Sequence, residues 1–248
     1  MGTMAAAIIA ATVLATSFLS GIFGMAGGMI LLGVLLMLLD VPAAMILFGV
    51  TQLASNGWRA FLWRRYVTWR ILLFYCAGAL VTFAIMRYIA FVPDKGLVYL
   101  LIGLLPILAD RLRIGGHIDV TRPGVAVFTG LFVMLMQLLA GAAGAILDIF
   151  FQKSSLDRKG IVATKAVTQV AAHILRTVYF GSLAASTTMF LPPWTYAGTI
   201  MLAMLGTTAA TYVLHRMSEE GFRKWSRVII LTISAIFVVR GLLLLMSV

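Results

Sequence analysis

Charge is scarce in this chain: 11% of its 248 residues are charged, one is cysteine and six are proline. An ordinary soluble domain carries about 25% charged residues, so a water-facing surface cannot be built and a soluble globular enzyme is excluded. Cys76, the single cysteine, rules out an intrachain disulfide. Enzyme signatures are missing too, with no H-E-x-x-H, no G-x-S-x-G and no P-loop. His117, His173 and His215 are too dispersed for a zinc site. Neither an enzymatic activity nor a cofactor is therefore expected. Acidic residues are the rarest class, 8 Asp and Glu against 19 Lys and Arg, a surplus of +11. In a soluble protein that would point to nucleic acid. Here cytoplasmic loops account for it, since they are enriched in Lys and Arg, and no nucleic acid is called for.

What is abundant is apolar: 62% of residues are hydrophobic and the mean hydropathy is +1.06. Long apolar stretches between short charged loops predict an all-α polytopic membrane protein, because each helix needs about 20 apolar residues to cross the hydrocarbon. The segment from Met4 to Ser20 could pass for a signal peptide, but no Lys or Arg precedes Arg59, so cleavage is not expected. Apolar segments fall near 4 to 20, 29 to 39, 43 to 63, 71 to 90, 97 to 109, 124 to 140, 145 to 152, 160 to 182, 194 to 214 and 228 to 246. Two of them, 29 to 39 and 145 to 152, are too short to span about 30 Å at 1.5 Å per residue. Each follows a break rich in small residues, Gly21 to Gly28 and Gly141 to Ala145, where glycine tolerates the backbone angles that end a helix.

An internal repeat organises the chain. Thr51-Gln52-Leu53-Ala54-Ser55-Asn56-Gly57-Trp58-Arg59 aligns with Thr168-Gln169-Val170-Ala171-Ala172-His173-Ile174-Leu175-Arg176 at a constant offset of 117 residues. Gly21 and Gly24 match Gly141 and Gly144 with slight slippage. Two transmembrane repeats follow, residues 1–110 and 123–248, joined by a cytoplasmic linker at 111–122. With each broken segment a re-entrant hairpin and three full helices per half, the second half is inverted. The loops around 64 to 70, 111 to 122, 153 to 159 and 216 to 227 then share one side, with 13 of the 19 basic residues. The opposite loops hold only Lys95, with Arg87 at a helix end. The positive-inside rule prefers this inverted arrangement, with both termini outside.

An inverted repeat with paired broken helices is a pattern of secondary transporters. The free N–H groups of the half-helices, at Gly24, Ala26, Gly27 and Gly28 and at Gly141 and Gly144, favour an anionic ligand; small-residue helix packing is the alternative. Intramembrane polar residues face a cavity or a partner. Gln52, Asn56 and Arg59 form one helix stripe, and Lys165, Gln169, His173 and Arg176 form its mate. Gln52 and Gln169 fall near mid-depth and offer amide donors to an oxyanion, or else they and Asn56 hold the bundle together. Arg59 and Arg176 lie near opposite helix ends, where they snorkel or line an anion-attracting vestibule. Lys165 lies about a turn and a half inside the membrane, and a cation there requires a counter-charge. Asp148 is the nearest candidate, making a pair that serves coupling or structure. His173 titrates near neutral pH and suits proton coupling, with a plain helix contact as the other option.

At these residues the chain resembles the TauE/SafE family of sulfite and organosulfonate exporters. The resemblance rests on Ser20 to Gly28, on Gly49 to Arg59 and on Val162-Ala163-Thr164-Lys165-Ala166-Val167-Thr168-Gln169, and it covers nearly the whole length. It implies a bacterial inner-membrane, multi-pass transporter of small sulfur-containing or carboxylated anions. The second break, Gly-Ala-Ala-Gly-Ala, is poorer in glycine than the first. The function expected is alternating-access export of a small anion such as sulfite or a sulfonate; an uncoupled anion channel and a non-transporting assembly factor are the alternatives. Expected partners are the small anion and the lipid bilayer, with proton coupling and a homodimer left open.

Overall fold

A computed structural model describes residues 3–23, 25–112, 119–151, 154–184, 191–214 and 219–247. Among the described residues there are ten α-helices and no strand. They are α1 (Thr3–Phe23), α2 (Met25–Leu38), α3 (Val41–Leu62), α4 (Trp69–Ile89), α5 (Lys95–Leu112), α6 (Pro123–Leu139), α7 (Gly144–Phe151), α8 (Arg158–Ala184), α9 (Pro193–Leu214) and α10 (Glu219–Met246). A 3-10 turn, Arg64–Tyr66, precedes α4. Local chemistry sets several boundaries. Asp40 caps α3 by accepting from the Ala43 N–H at 3.1 Å, with Pro42 in the first turn. Asp94 likewise accepts from the Leu97 N–H at 2.8 Å at the start of α5. The left-handed Ala90 (φ 54°) ends α4, and Pro123 opens α6.

The first helix break is narrower than the sequence predicts. Gly21 belongs to α1, while Ala26, Gly27 and Gly28 lie inside the first turns of α2, so the interruption shrinks to the junction at Gly24. Gly24 itself lies outside the described residues, as do 113–118 of the expected linker. Glycine inside a helix costs roughly 1 kcal/mol, and close packing offsets it at Gly27. A β-carbon there would lie 2.5 Å from the Ser20 hydroxyl and 2.6 Å from the Ser20 nitrogen of α1. The second break falls where expected: Gly141 takes φ +71° and α7 begins at Gly144.

The most extensive helix contacts are α1 with α9, α4 with α6, α5 with α10 and α3 with α8. Exchanging the first five helices for the last five leaves this set of pairs unchanged. Glycine lets the backbones touch in three of them. A β-carbon at Gly78 would meet the Leu131 nitrogen at 2.9 Å, and one at Gly130 would meet the Ala79 nitrogen at 2.9 Å. Gly103 faces the Ser234 carbonyl across α5 and α10, and Gly206 faces the Leu14 carbonyl across α9 and α1. Such small-residue contacts are the means by which helices associate in lipid.

Both half-helices are enclosed, with Leu31, Leu32, Leu35 and Leu36 of α2 and Leu147 and Phe151 of α7 buried. Outward faces are apolar instead: Leu73, Leu80 and Ile85 of α4 are all more than half exposed. Trp69 (60% exposed) and Tyr88 (93%) stand at the two ends of α4, roughly 28 Å apart at 1.5 Å per residue. Trp194 (75%) and Tyr212 (73%) repeat that spacing on α9. Aromatic residues at both rims of an apolar band about 30 Å tall fit the two interfaces of a bilayer. Among the described residues, Met4–Ile22, Trp69–Ile89 and Arg227–Met246 are long and apolar enough to cross a membrane. α3 and α8, which carry the polar stripes, are not in that group and pack against each other in the interior. They run antiparallel, since Gly49 meets Thr177 near one end while the Thr68 N–H beyond α3 donates to the Thr164 hydroxyl at 3.0 Å near the other.

Gly130→Leu is expected to lower the melting temperature of the detergent-purified protein, because overpacking a close contact costs about 1–3 kcal/mol. Gly124→Ala, which meets nothing within 4 Å, serves as the neutral comparison. Equal melting temperatures for the two variants would contradict the α4–α6 backbone contact.

Candidate functional site

Both helix breaks meet the antiparallel α3–α8 pair. On the first-half side, a β-carbon at Gly28 would lie 2.9 Å from Gln52 Nε2 and 3.6 Å from Phe48, so the absent side chain leaves room for the Gln52 amide against α2. Asn56, one turn further along α3, donates from Nδ2 to the Gln52 carbonyl at 3.0 Å. Its amide is therefore committed to its own helix in this conformation. On the second-half side, Gly141 packs against Leu32 of α2 and Met45 of α3, a contact that crosses between the halves.

Two arginines, Arg59 and Arg176, each donate to a backbone carbonyl at a helix break. Arg59 Nη2 donates to the Ser20 carbonyl at 3.2 Å, in the last turn of α1. Arg176 Nη1 donates to the Gly141 carbonyl just beyond α6. A helix terminus leaves its last carbonyls without intrahelical partners; Arg59 bonds a carbonyl of the last turn of α1, and Arg176 bonds the carbonyl two residues past the end of α6. Arg59 is half-buried, whereas Arg176 is 0% exposed and so does not snorkel. The Arg176 guanidinium carbon lies 4.4 Å from the Phe48 ring centroid, and Nη2 would lie 3.4 Å from a β-carbon at Gly49. A bulkier residue at Gly49 would also meet the Thr177 hydroxyl.

Gln137 completes the second break. Its Oε1 accepts from the Ala143 N–H at 3.1 Å, and its Nε2 lies 2.9 Å from Nδ1 of His173. An amide N–H can only donate, so Oε1 must face Ala143. The Gln137 NH2 then donates to Nδ1, and the neutral imidazole carries its hydrogen on Nε2. The N–H at the mouth of α7 is thereby already engaged by a side chain. His173 is 2% exposed, stands edge-on to Phe48 with centroids 5.9 Å apart, and has no partner at Nε2.

Lys165 and Asp148 form an ion pair between α8 and α7, with 29% and 38% of their side chains exposed. The neighbouring Thr164 hydroxyl accepts from the Thr68 N–H just before α4, which places the pair in the first part of α8. His173 is eight residues further along α8, about 12 Å at helical rise. Gln169 is half-buried between them and, among the described residues, its side chain joins none of these contacts. Sequence reasoning missed Gln137 and the packing partner Phe48. A lone glutamine in the apolar run of α6 was the available signal for the first; an apolar ring in an apolar run gives none for the second.

Gln137→Leu would strand the Ala143 N–H and His173 Nδ1, and a buried polar group without a partner costs about 1–3 kcal/mol. A lower melting temperature is expected in detergent, and an unchanged one would show that Gln137 does not hold the break.

The family described as Sulfite exporter TauE/SafE matches residues 8–237. No curated protein and no solved structure matches the chain. The family match spans the broken helices, the α3–α8 pair and the charged Lys165 region alike, and it covers nearly the whole length: the chain belongs to the TauE/SafE sulfite exporter family, a family of membrane transporters.

Proposed function

We propose that the protein is a secondary exporter of a small anion such as sulfite or an organosulfonate, working by alternating access in a bacterial inner membrane. The observation that carries this is the convergence of both helix breaks on α3 and α8, with Gly28 against Gln52 from one half and Gly141 against Arg176 from the other. Substrate would sit between them, with Gln52 and Gln169 flanking the path on the two facing helices. Residues 1–110 and 123–248 act as inverted repeats that rock against each other.

Two features support the inversion. The dominant helix pairs map onto themselves when the halves are exchanged. Basic loops also meet in pairs: Lys159 lies 5.1 Å from the Tyr66 ring, and Arg227 pairs with Asp110 at 2.9 Å. α4 and α5 separate these two meeting points by one passage out and one back, which supports a topology with all four basic loops on the cytoplasmic face.

Lys165 and Asp148 form a charged gate at that face, where an arriving anion competes with Asp148 for the ammonium. His173 links proton and conformation. A proton at Nδ1 would oppose the Gln137 NH2, so accepting it requires Gln137 to turn away from Ala143 and loosen the second break.

Flux measured in proteoliposomes with sulfite, sulfoacetate, thiosulfate and simple carboxylates at two pH gradients tests the proposal. Counterflow of sulfite or a sulfonate is expected, with Gln52→Ala slowing it about tenfold through loss of a hydrogen bond to a charged group. Absence of anion flux in folded protein would sink the exporter reading. Flux without counterflow would instead establish a channel, and full flux in Lys165→Met would remove the gate.

A further inference from the structure

Arg176 uses one of its five N–H bonds. Nη1 is committed to the Gly141 carbonyl, while Nε and Nη2 are buried and have no partner. These two atoms lie on the same side of the planar guanidinium, and their N–H bonds run nearly parallel. That edge is the fork which matches two oxygens of a carboxylate or phosphate. His173, three residues earlier on the same face of α8, adds a buried Nε2–H, likewise without a partner. Both side chains pack on Phe48, with Arg176 over the ring and His173 edge-on to it.

Among the described residues, no acidic side chain is placed against this edge. Asp148 is held by Lys165 and Asp110 by Arg227. Asp40, Asp94, Asp119 and Asp157 accept from backbone N–H groups of Ala43, Leu97, Thr121 and Gly160. Among the described residues no carboxylate pairs with Arg176. A buried cation with an idle fork and no counter-charge is costly unless something else brings the negative charge. Capping the Gly141 carbonyl does not account for the choice of arginine, since one N–H suffices for it.

We propose that the free edge of Arg176, with Nε2–H of His173 beside it, is the subsite that takes the substrate's charge, and that it selects anions presenting at least two oxygens, such as sulfite, sulfonates and carboxylates, over monatomic anions. The subsite rests on the exporter reading above and specifies the ligand within it. The fork and the imidazole N–H together offer three donors, as many as the oxygens of a sulfite or sulfonate group. Gly49 leaves the space that the guanidinium occupies, and Phe48 provides the apolar wall that keeps the interaction strong by excluding water.

The test uses the full-length protein, with binding of sulfite, methanesulfonate, acetate and chloride measured by titration calorimetry in detergent at matched ionic strength, and sulfite flux measured in proteoliposomes. Wild type is expected to bind the three oxyanions and to ignore chloride. Arg176→Lys keeps the charge and a donor for Gly141 but loses the fork, and about a tenfold to hundredfold weaker sulfite affinity is expected, as for removal of hydrogen bonds to a charged group. His173→Asn keeps an amide oxygen near the Nδ1 position for Gln137 while withdrawing the Nε2–H, and a smaller loss is expected. Wild-type affinity in folded Arg176→Lys overturns the subsite. If that variant does not fold, unchanged sulfite affinity in His173→Asn overturns it. Chloride competing as well as methanesulfonate overturns the selectivity. Sulfite flux in wild type that persists equally in Arg176→Lys at sub-saturating sulfite removes the subsite alone, whereas neither binding nor flux in wild type removes the exporter reading and the subsite together.

Discussion

Hydrocarbon contains no water to satisfy an exposed N–H or C=O, so a helix that stops inside a membrane must find side-chain partners for its ends. Much of the interior polar chemistry of this chain answers that constraint. Arg59 and Arg176 hold carbonyls at the two breaks, and Gln137 holds the N–H before α7. Tyrosines serve other backbone groups: Tyr99 donates to the Gly33 carbonyl at 2.5 Å, and Tyr179 donates to the Met86 and Phe91 carbonyls where α4 ends. Residues that looked like candidates for ligand chemistry are therefore also the fasteners of the fold, and substitution at any of them has to be read for both roles.

The same constraint shapes the packing. α2 and α7 have 14 and 8 residues, too few to span, so neither can present a face to lipid along a full crossing. Surrounding helices enclose them, and those helices approach closely only where glycine removes the side chain. The two breaks are nevertheless unequal. At the first, Arg59 donates to the Ser20 carbonyl and Gln52 packs beside Gly28, whereas the second gathers Gln137, His173 and Arg176 about a single left-handed glycine. Among the described residues around the two breaks, the buried side-chain nitrogens without a partner are those of His173 and Arg176, at the second.

Composition and periodicity made the helical membrane class legible, because 62% hydrophobic residues in long runs admit little else. The second break was legible at Gly141 and Gly144, since a left-handed residue there suits glycine. The first was drawn too wide for a physical reason: a glycine run can mean either a break or a close helix crossing, and Gly27 and Gly28 lie inside α2 against Ser20 and Gln52. The cost of an unpaired charge in an apolar run pointed from Lys165 to Asp148, and the two side chains form an ion pair. Arg176 was the hardest to read. Its position near a helix end suggested snorkelling, and nothing in the one-dimensional pattern shows that the guanidinium packs over Phe48 and donates to the Gly141 carbonyl.

Arg176 ties the two halves of the problem together. Its guanidinium is rigid and planar, so the N–H that holds Gly141 and the edge that faces the proposed anion cannot move independently. An anion that draws the fork toward itself would also pull on the carbonyl that closes the second break. Any loosening of that break, by Gln137 turning from Ala143 or by rocking of α6 and α7, would in turn rotate the fork away from the ligand. A lysine, with one compact charge on a flexible stem, could hold either partner without transmitting motion to the other. If the subsite holds an anion, coupling between ligand and break follows from this side chain's shape, since Arg176 bonds the interruption at Gly141 and lies one helical turn from the buried His173.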